Sequence, residues 1–222
     1  GFCSALIVRT FAQSDVDELG KYATIPVINA LTDDDHPTQL LADWLTIREN
    51  FGKDLKKRKF VYIGDGNNVA NAWLIMGATM GAHIVVATPA GKWAPKSSVV
   101  DQANKIAKKS GAKIEITTDP KAAAKDASVI YTDVWMSMGD SEADRSEKIS
   151  ALSPFAVTNE LMSLTTKDSI FMHCLPAHRG EEVAADVIDG PKSVVWRQAF
   201  HRRTTIQALL YHLTRGDLKG NK

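Results

Sequence analysis

An α/β fold, a doubly wound parallel sheet with a remnant of a second α/β domain, is predicted by three observations. Short apolar runs alternate with helical stretches of about ten residues, which implies parallel strands joined by right-handed crossovers. The 222 residues, 44% hydrophobic and 24% charged, are enough to bury a sizeable core. Residues able to do chemistry, among them Asn68, Asp133 and Cys174, all fall just past the end of an apolar run. In open α/β sheets that edge is where ligands bind.

Taken in order, residues 5–8 read as a strand, and a polar helix follows from Ser14, a plausible N-cap, to Tyr22. Residues 25–29 (Ile-Pro-Val-Ile-Asn) form another short strand. After an acidic turn, His36-Pro37 opens a helix with proline in its first turn. Leu40, Leu41, Trp44, Leu45 and Ile47 keep helical spacing as far as Phe51-Gly52. Strands are then expected at 60–63, 84–87, 114–116, 129–131, 170–172 and 194–196. Helices are expected between them at 69–80, 99–110, 121–126, 155–164 and 181–188. A last amphipathic helix spans about Arg203 to Leu213, and the highly polar 140–150 segment reads as a mobile surface loop. No initiator Met opens the chain and an apolar strand begins almost at once, so the sequence reads as one that starts inside a domain.

Composition excludes several classes. A net charge of +1 gives no reason to expect a nucleic-acid or anionic-membrane partner. The basic run 53–59 is short and directly precedes a strand, which suits a solvated loop. Two cysteines, Cys3 and Cys174, build no disulfide framework, and a reducing, cytoplasmic setting is expected. No apolar run approaches the ~18 residues of a membrane span, and no signal-peptide pattern opens the chain.

Four constellations could carry chemistry. Gly64-Asp65-Gly66-Asn67-Asn68 lies between a strand and a helix, where glycines let the backbone approach a ligand or another chain segment. A dinucleotide fingerprint fails here, because position 69 is Val and the next strand ends without an acidic residue for a ribose. The asparagines suit polar contacts to a small molecule, or helix capping. His36 and Gln39 share one helix face beside the positive dipole end, suited to a carbonyl or amide ligand. Asp133 and Ser137, in Asp133-Val134-Trp135-Met136-Ser137-Met138-Gly139, could receive an ammonium group, or could simply form a turn. Cys174, in Phe171-Met172-His173-Cys174-Leu175-Pro176, is either a reactive thiol or a buried inert one. Zinc is not expected, since the spacing of His173, Cys174 and His178 fits no compact ligand pattern. Arg9 and Arg202 could each clamp a phosphate.

Together these segments resemble the ornithine carbamoyltransferases over essentially the whole chain. The resemblance implies that Arg9, His36, Gln39, Cys174, Leu175 and Arg202 bind carbamoyl phosphate. It implies likewise that Asn68, Asp133, Ser137 and Met138 bind L-ornithine, and that Cys174, His36 and Asp133 are catalytic. The late family motif departs here to Ala199-Phe200-His201-Arg202. The Ser-Thr-Arg-Thr-Arg phosphate motif, with roughly the first third of the family's chain, does not occur. The implied division is 1–35 for the end of a carbamoyl phosphate domain, 36–52 for a bridging helix, 53–196 for an ornithine domain and 197–222 for a C-terminal helix. The implied reaction carbamoylates the side-chain amine of ornithine to citrulline, in arginine metabolism, with no metal or organic cofactor and in a homotrimer. Cys174 is then the candidate proton acceptor, which needs only a modest fall from the usual thiol pKa. Two rival expectations are a non-catalytic ornithine-binding module and, less favoured, a nucleotide-dependent oxidoreductase.

Overall fold

A computed structural model describes residues 2–136 and 141–215. The chain opens with a parallel pair, β1 (Leu6–Arg9) and β2 (Val27–Leu31), connected by α1 (Gln13–Tyr22). That helix starts one residue before Ser14, and no side chain caps it. Its first residue is instead anchored by tertiary structure, because the Thr32 hydroxyl donates to Gln13 Oε1 at 2.7 Å. Helix α2 (Pro37–Phe51) has His36 at its N-cap position and Pro37 in its first turn, where the missing proline N–H has no helical partner to lose.

The main sheet follows: β3 (Lys59–Ile63), α3 (Asn68–Thr79), β4 (His83–Ala87), α4 (Ser97–Ser110), β5 (Lys113–Thr117), α5 (Pro120–Ala124) and β6 (Val129–Thr132). Then come α6 (Arg145–Leu152), α7 (Asn159–Ser163), β7 (Ile170–His173), α8 (Ala185–Ile188) and α9 (Val195–Arg215). All five strands are parallel, in the order β5-β4-β3-β6-β7. The chain winds outward from β3 through β4 to β5, then returns to the other side of β3 for β6 and β7. The fold is therefore a doubly wound α/β sheet, and a crevice opens where the winding reverses, between the ends of β3 and β6.

Period-two alternation sorts the strand residues into two cores. Phe60, Tyr62, Ile84, Val86, Tyr131 and Met172 pack under α2, α3 and α4. Val61, Ile63, Val85, Ile130 and Phe171 pack under α5, α7 and α8. An aromatic chain runs through the first core. Trp44 meets Phe60 edge-on at 5.4 Å, Trp73 meets Tyr131 at 4.9 Å, and Tyr62 stacks on Tyr131 at 6.0 Å. It ties the bridging helix to the strands that carry the crevice. Among the described residues no helix is long and apolar enough to cross a membrane.

Five expected elements are corrected. Residues 194–196 are not a strand. The edge of β7 is satisfied just before them, with Phe171 N–H donating to Lys192 and Val194 N–H to Phe171. From Val195 the buried positions Val195, Gln198 and His201 follow a helical period, so the last helix begins there rather than at Arg203. Part of the expected 140–150 loop is α6, with Asp140 outside the described residues. Its Lys148 is buried and pairs with the equally buried Asp65 at 2.7 Å, so a residue that reads as solvated is an interior anchor. The expected 155–164 helix divides into a 3-10 turn at 153–155 and α7, since Val157 bridges to Val183 and Thr158 caps the helix from outside. Likewise the expected 181–188 helix begins only at Ala185, because Val183 is held in that bridge.

Gly77 marks the tightest contact of α3 on the sheet: a Cβ there would lie 2.1 Å from Ile84 Cγ1. Gly77→Ala is expected to destabilise the fold by about 1–3 kcal/mol through overpacking, read as a lower urea midpoint at unchanged m-value.

Candidate active site

The crevice is a cavity of about 670 Å³ lined from six directions. The β3–α3 turn supplies Asp65 to Asn68, the end of β6 Asp133 and Val134, and the end of β7 Cys174, Leu175 and Pro176. Arg9 enters from β1, His36 from the start of α2 and Arg202 from α9. The glycines of the β3–α3 turn serve chain packing rather than a phosphate cradle. Gly66 donates to the Trp93 carbonyl at 2.8 Å, and a Cβ on it would sit 2.3 Å from the Pro95 nitrogen. Gly64 has a φ of 137°, which favours glycine.

Asp133 is the centre of one wall. Its Oδ1 accepts from the Cys174 thiol at 2.8 Å and from the Val134 N–H at 2.8 Å, and its Oδ2 accepts from Asn67 Nδ2 at 2.8 Å. Asn67 also caps α3, its Oδ1 accepting from the N–H groups of Val69 and Ala70 and from the Tyr62 hydroxyl. Capping is one of the two roles expected of the asparagines. Asn67 caps and, in addition, aims the carboxylate. Asn68 lines the cavity while its Nδ2 donates to the Thr32 carbonyl at 2.8 Å, which holds the turn against the β1–β2 unit.

A second group in the lining is cationic. Arg202 Nη1 donates to Gln39 Oε1 and, at 3.5 Å, to His36 Nε2, while Nη2 donates to the Thr38 hydroxyl at 3.3 Å. Burial first, then the charges of Arg202 and Arg9, hold the His36 imidazole down at about 3, so it is neutral throughout the physiological range. Burial also lowers the Arg202 guanidinium from its usual value. Gln39 is almost wholly buried behind His36 and does not line the cavity.

The thiol expectation needs correction. Burial pushes the Cys174 pKa well above its usual value, and the Asp133 carboxylate adds to the rise. The group stands as a protonated thiol donating to Asp133, not as a ready base, because both influences penalise a thiolate. After it, Leu175 has a φ of 58°, unusual for a residue with a Cβ, and precedes a cis proline. Its N–H donates to His173 Nδ1 at 2.8 Å, which leaves the His173 proton on Nε2, facing Glu182 Oε1 at 3.1 Å.

Eight of the ten expected site positions can thus be compared, since Ser137 and Met138 lie outside the described residues. Arg9, His36, Asn68, Asp133, Cys174, Leu175 and Arg202 share the cavity, and Gln39 lies directly behind it. Asp43, Gln198 and Lys148 support the site without having been singled out for it, whereas Asn67 and Asp65 belong to the glycine-containing turn that the sequence marks. Asp43 left one trace in the sequence, an acidic residue four after Gln39 inside an apolar helical stretch. Two clusters bring metal-ligand atoms within 4.8 Å of one another: Asp133, His173 and Cys174, and His178, Glu181 and Glu182. Hydrogen bonds within the protein engage the Cys174 thiol, His173 Nε2 and Glu182 Oε1.

Comparison with known proteins agrees across the chain. Residues 56–213 match the Asp/Orn binding domain of aspartate/ornithine carbamoyltransferase, and residues 1–49 match its carbamoyl-P binding domain. An ornithine carbamoyltransferase of Anoxybacillus flavithermus is 51% identical over 212 residues, covering 96% of this chain and 67% of the relative. An anabolic ornithine carbamoyltransferase of Pyrococcus furiosus is 49% identical over 218 residues, covering 98% of this chain and 68% of the relative. The solved Pyrococcus furiosus ornithine carbamoyltransferase superposes with a TM-score of 0.91 at 49% identity, covering 98% of this chain and 68% of that one. The ornithine transcarbamoylase of Giardia lamblia gives 0.91 at 36% identity, covering 98% and 72%. With its sheet, its crevice and both of its matched regions in agreement, the chain belongs to the aspartate/ornithine carbamoyltransferase family.

Proposed function

We propose that the chain transfers the carbamoyl group of carbamoyl phosphate to the side-chain amine of L-ornithine, giving L-citrulline and phosphate in arginine metabolism. The observation that carries this reading is one cavity whose lining brings Asp133 and Cys174 together with Arg9, Arg202 and His36. Asp133, aimed by Asn67 and bonded to Cys174, suits the amino groups of ornithine, and Asn68 stands beside them. Arg9, Arg202 and His36 suit carbamoyl phosphate, with Gln39 and Leu175 completing its surroundings. We assign Ser137 and Met138 to the ornithine side, residues 1–35 to the carbamoyl phosphate side, 36–52 to the bridging helix, and the ornithine domain to the stretch from 53 to the start of α9. A cytoplasmic homotrimer is part of the same proposal.

In this reaction the neutral amine nitrogen attacks the carbamoyl carbon, an N–C bond forms, and the C–O bond to phosphate breaks. Fixed donors must stabilise the oxyanion that develops on the way. Arg9 supplies such a donor, the neutral His36 stands beside it, and Arg202 meets the charge that accumulates on phosphate. The proton lost by the amine leaves with the phosphate as hydrogen phosphate, so the reaction balances without a thiolate. No step requires a metal or an organic cofactor.

Citrulline formation from carbamoyl phosphate and ornithine by the purified chain tests this directly. Asp133→Asn is expected to lower kcat/KM roughly 100-fold or more, and Cys174→Ala to raise the KM for ornithine through loss of the thiol beside Asp133. Binding of ornithine without turnover would leave only a binding module, and turnover unaffected by Asp133→Asn would reject the assigned site.

The depressed His36 pKa also predicts a pH dependence of stability. Between about 6.5 and 3 the unfolded chain takes up a proton at His36 that the folded chain refuses, so this residue makes stability fall as pH falls through that window. Urea midpoints of the wild type and His36→Asn, measured from pH 7 to pH 4, should converge as pH falls. Parallel curves would contradict a neutral buried imidazole.

A further inference from the structure

Asp43 lies wholly buried in α2, one helical turn after Gln39. Its Oδ1 accepts two hydrogen bonds, from Gln39 Nε2 at 2.8 Å and from Gln198 Nε2 at 2.7 Å. A primary amide has a donor end and an acceptor end, so each glutamine must turn its oxygen the other way. Gln39 Oε1 accepts from the Arg202 guanidinium, and Gln198 Oε1 accepts from the His173 backbone N–H at 3.0 Å. A guanidinium and a backbone N–H can only donate, so both amide orientations are determined from both sides. The result is one continuous buried chain, Arg202–Gln39–Asp43–Gln198–His173.

Both ends of that chain reach the cavity lining. Arg202 lines it on the cationic side, and Cys174, next after His173, lines it on the acidic side. Asp43 itself is not part of the lining. Its second oxygen, Oδ2, has no hydrogen-bond partner among the described residues. A buried carboxyl group with one oxygen unsatisfied is a costly way to pack a helix, and an apolar residue would do it better. Burial raises the group to about 7, in keeping with that cost.

We propose that Asp43 is a positioning residue for carbamoyl transfer, holding Arg202 through Gln39 and Cys174 through Gln198 and the His173 backbone, so that the two substrate subsites share one register. The proposal rests on the transferase reading above. Without the Asp43 acceptor, each amide loses the partner that its NH2 shares with the other: Gln39 keeps Arg202, and Gln198 keeps the His173 N–H and the Tyr131 hydroxyl at 3.3 Å, so rotated orientations become accessible. A rotated Gln39 sets its NH2 against the Arg202 guanidinium, donor facing donor. A rotated Gln198 does the same to the His173 N–H, loosening the end of β7 that carries Cys174.

The test compares wild type, Asp43→Asn and Asp43→Ala in citrulline formation, with each substrate varied, and in hydrogen exchange at the His173 amide. Asparagine keeps an oxygen for both glutamines, so kcat should stay within about tenfold of wild type even if the melting temperature falls. Alanine removes the acceptor, and kcat should fall about 100-fold, the scale of a misplaced catalytic group. In the alanine variant His173 should also exchange faster relative to Phe171 and Met172 on the same strand, and in the asparagine variant it should not. If Asp43→Ala does not fold, Gln198→Met breaks the same chain at its other link and should reproduce both effects. Wild-type kcat in a folded Asp43→Ala or Gln198→Met, equal losses in the alanine and asparagine variants, or an unchanged His173 exchange would each overturn the proposal. Should the wild-type chain form no citrulline, the transferase reading fails by itself. His173 exchange and calorimetric titration with carbamoyl phosphate then decide the positioning role, which requires weaker binding in Asp43→Ala than in Asp43→Asn.

Discussion

The structure depends above all on the reversal of winding between β3 and β6. Crossovers leaving β3 and β6 run to opposite sides, so nothing covers the carboxyl ends of these two strands. The turn after β3 and the segment after β6 therefore face each other across a gap, and Asn67 and Asp133 meet there at hydrogen-bond distance. Gly66 lets the Trp93–Pro95 backbone press against the β3–α3 turn, where any side chain would collide. Fold and site are in this sense one feature. The same parallel order that buries both faces of the sheet brings the polar residues together at one edge.

Within that edge, charge is arranged by pairing donors with acceptors rather than by exposure. Asp133 is nearly buried yet accepts three hydrogen bonds, which offset much of the cost of removing a carboxylate from water. Lys148 and Asp65 do the same for one another at the rim. Glu49, on the outer end of α2, accepts from Arg197 and His201 and binds the last helix to the bridging helix. Each such pair joins elements distant in sequence, so the polar network fixes relative positions that apolar packing alone leaves adjustable.

This division explains what could be read in the sequence. Strand positions and the residues just past them were legible, because parallel strands announce themselves as apolar runs and their ends mark the ligand edge. Asp133 and Cys174 were found that way, as were His36 and Arg202 through the motifs around them. Asp43, Gln198 and Lys148 were not, because a polar side chain in a helix looks the same whether it faces water or a partner a hundred residues away. The stretch at Val194 misled for a related reason. Its apolar run was strand-like, but Lys192 and Val194 already satisfy the free edge of β7, and the buried face from Val195 onward repeats with a helical period.

The least legible property was the protonation state of Cys174. Sequence shows a thiol at a strand end and leaves its pKa to its neighbours. The structure packs it at the end of β7 beside a carboxylate, and burial and that charge both favour the thiol over the thiolate. On the proposed reaction this assigns the proton chemistry differently from a cysteine base. Asp133 and Cys174 orient the amine by accepting and sharing hydrogen bonds, while departing phosphate, itself a base, carries the proton away. On that reading Arg9 and Arg202 stand on the side where phosphate leaves. They stabilise the group that gains charge in the transition state rather than a nucleophile on the protein.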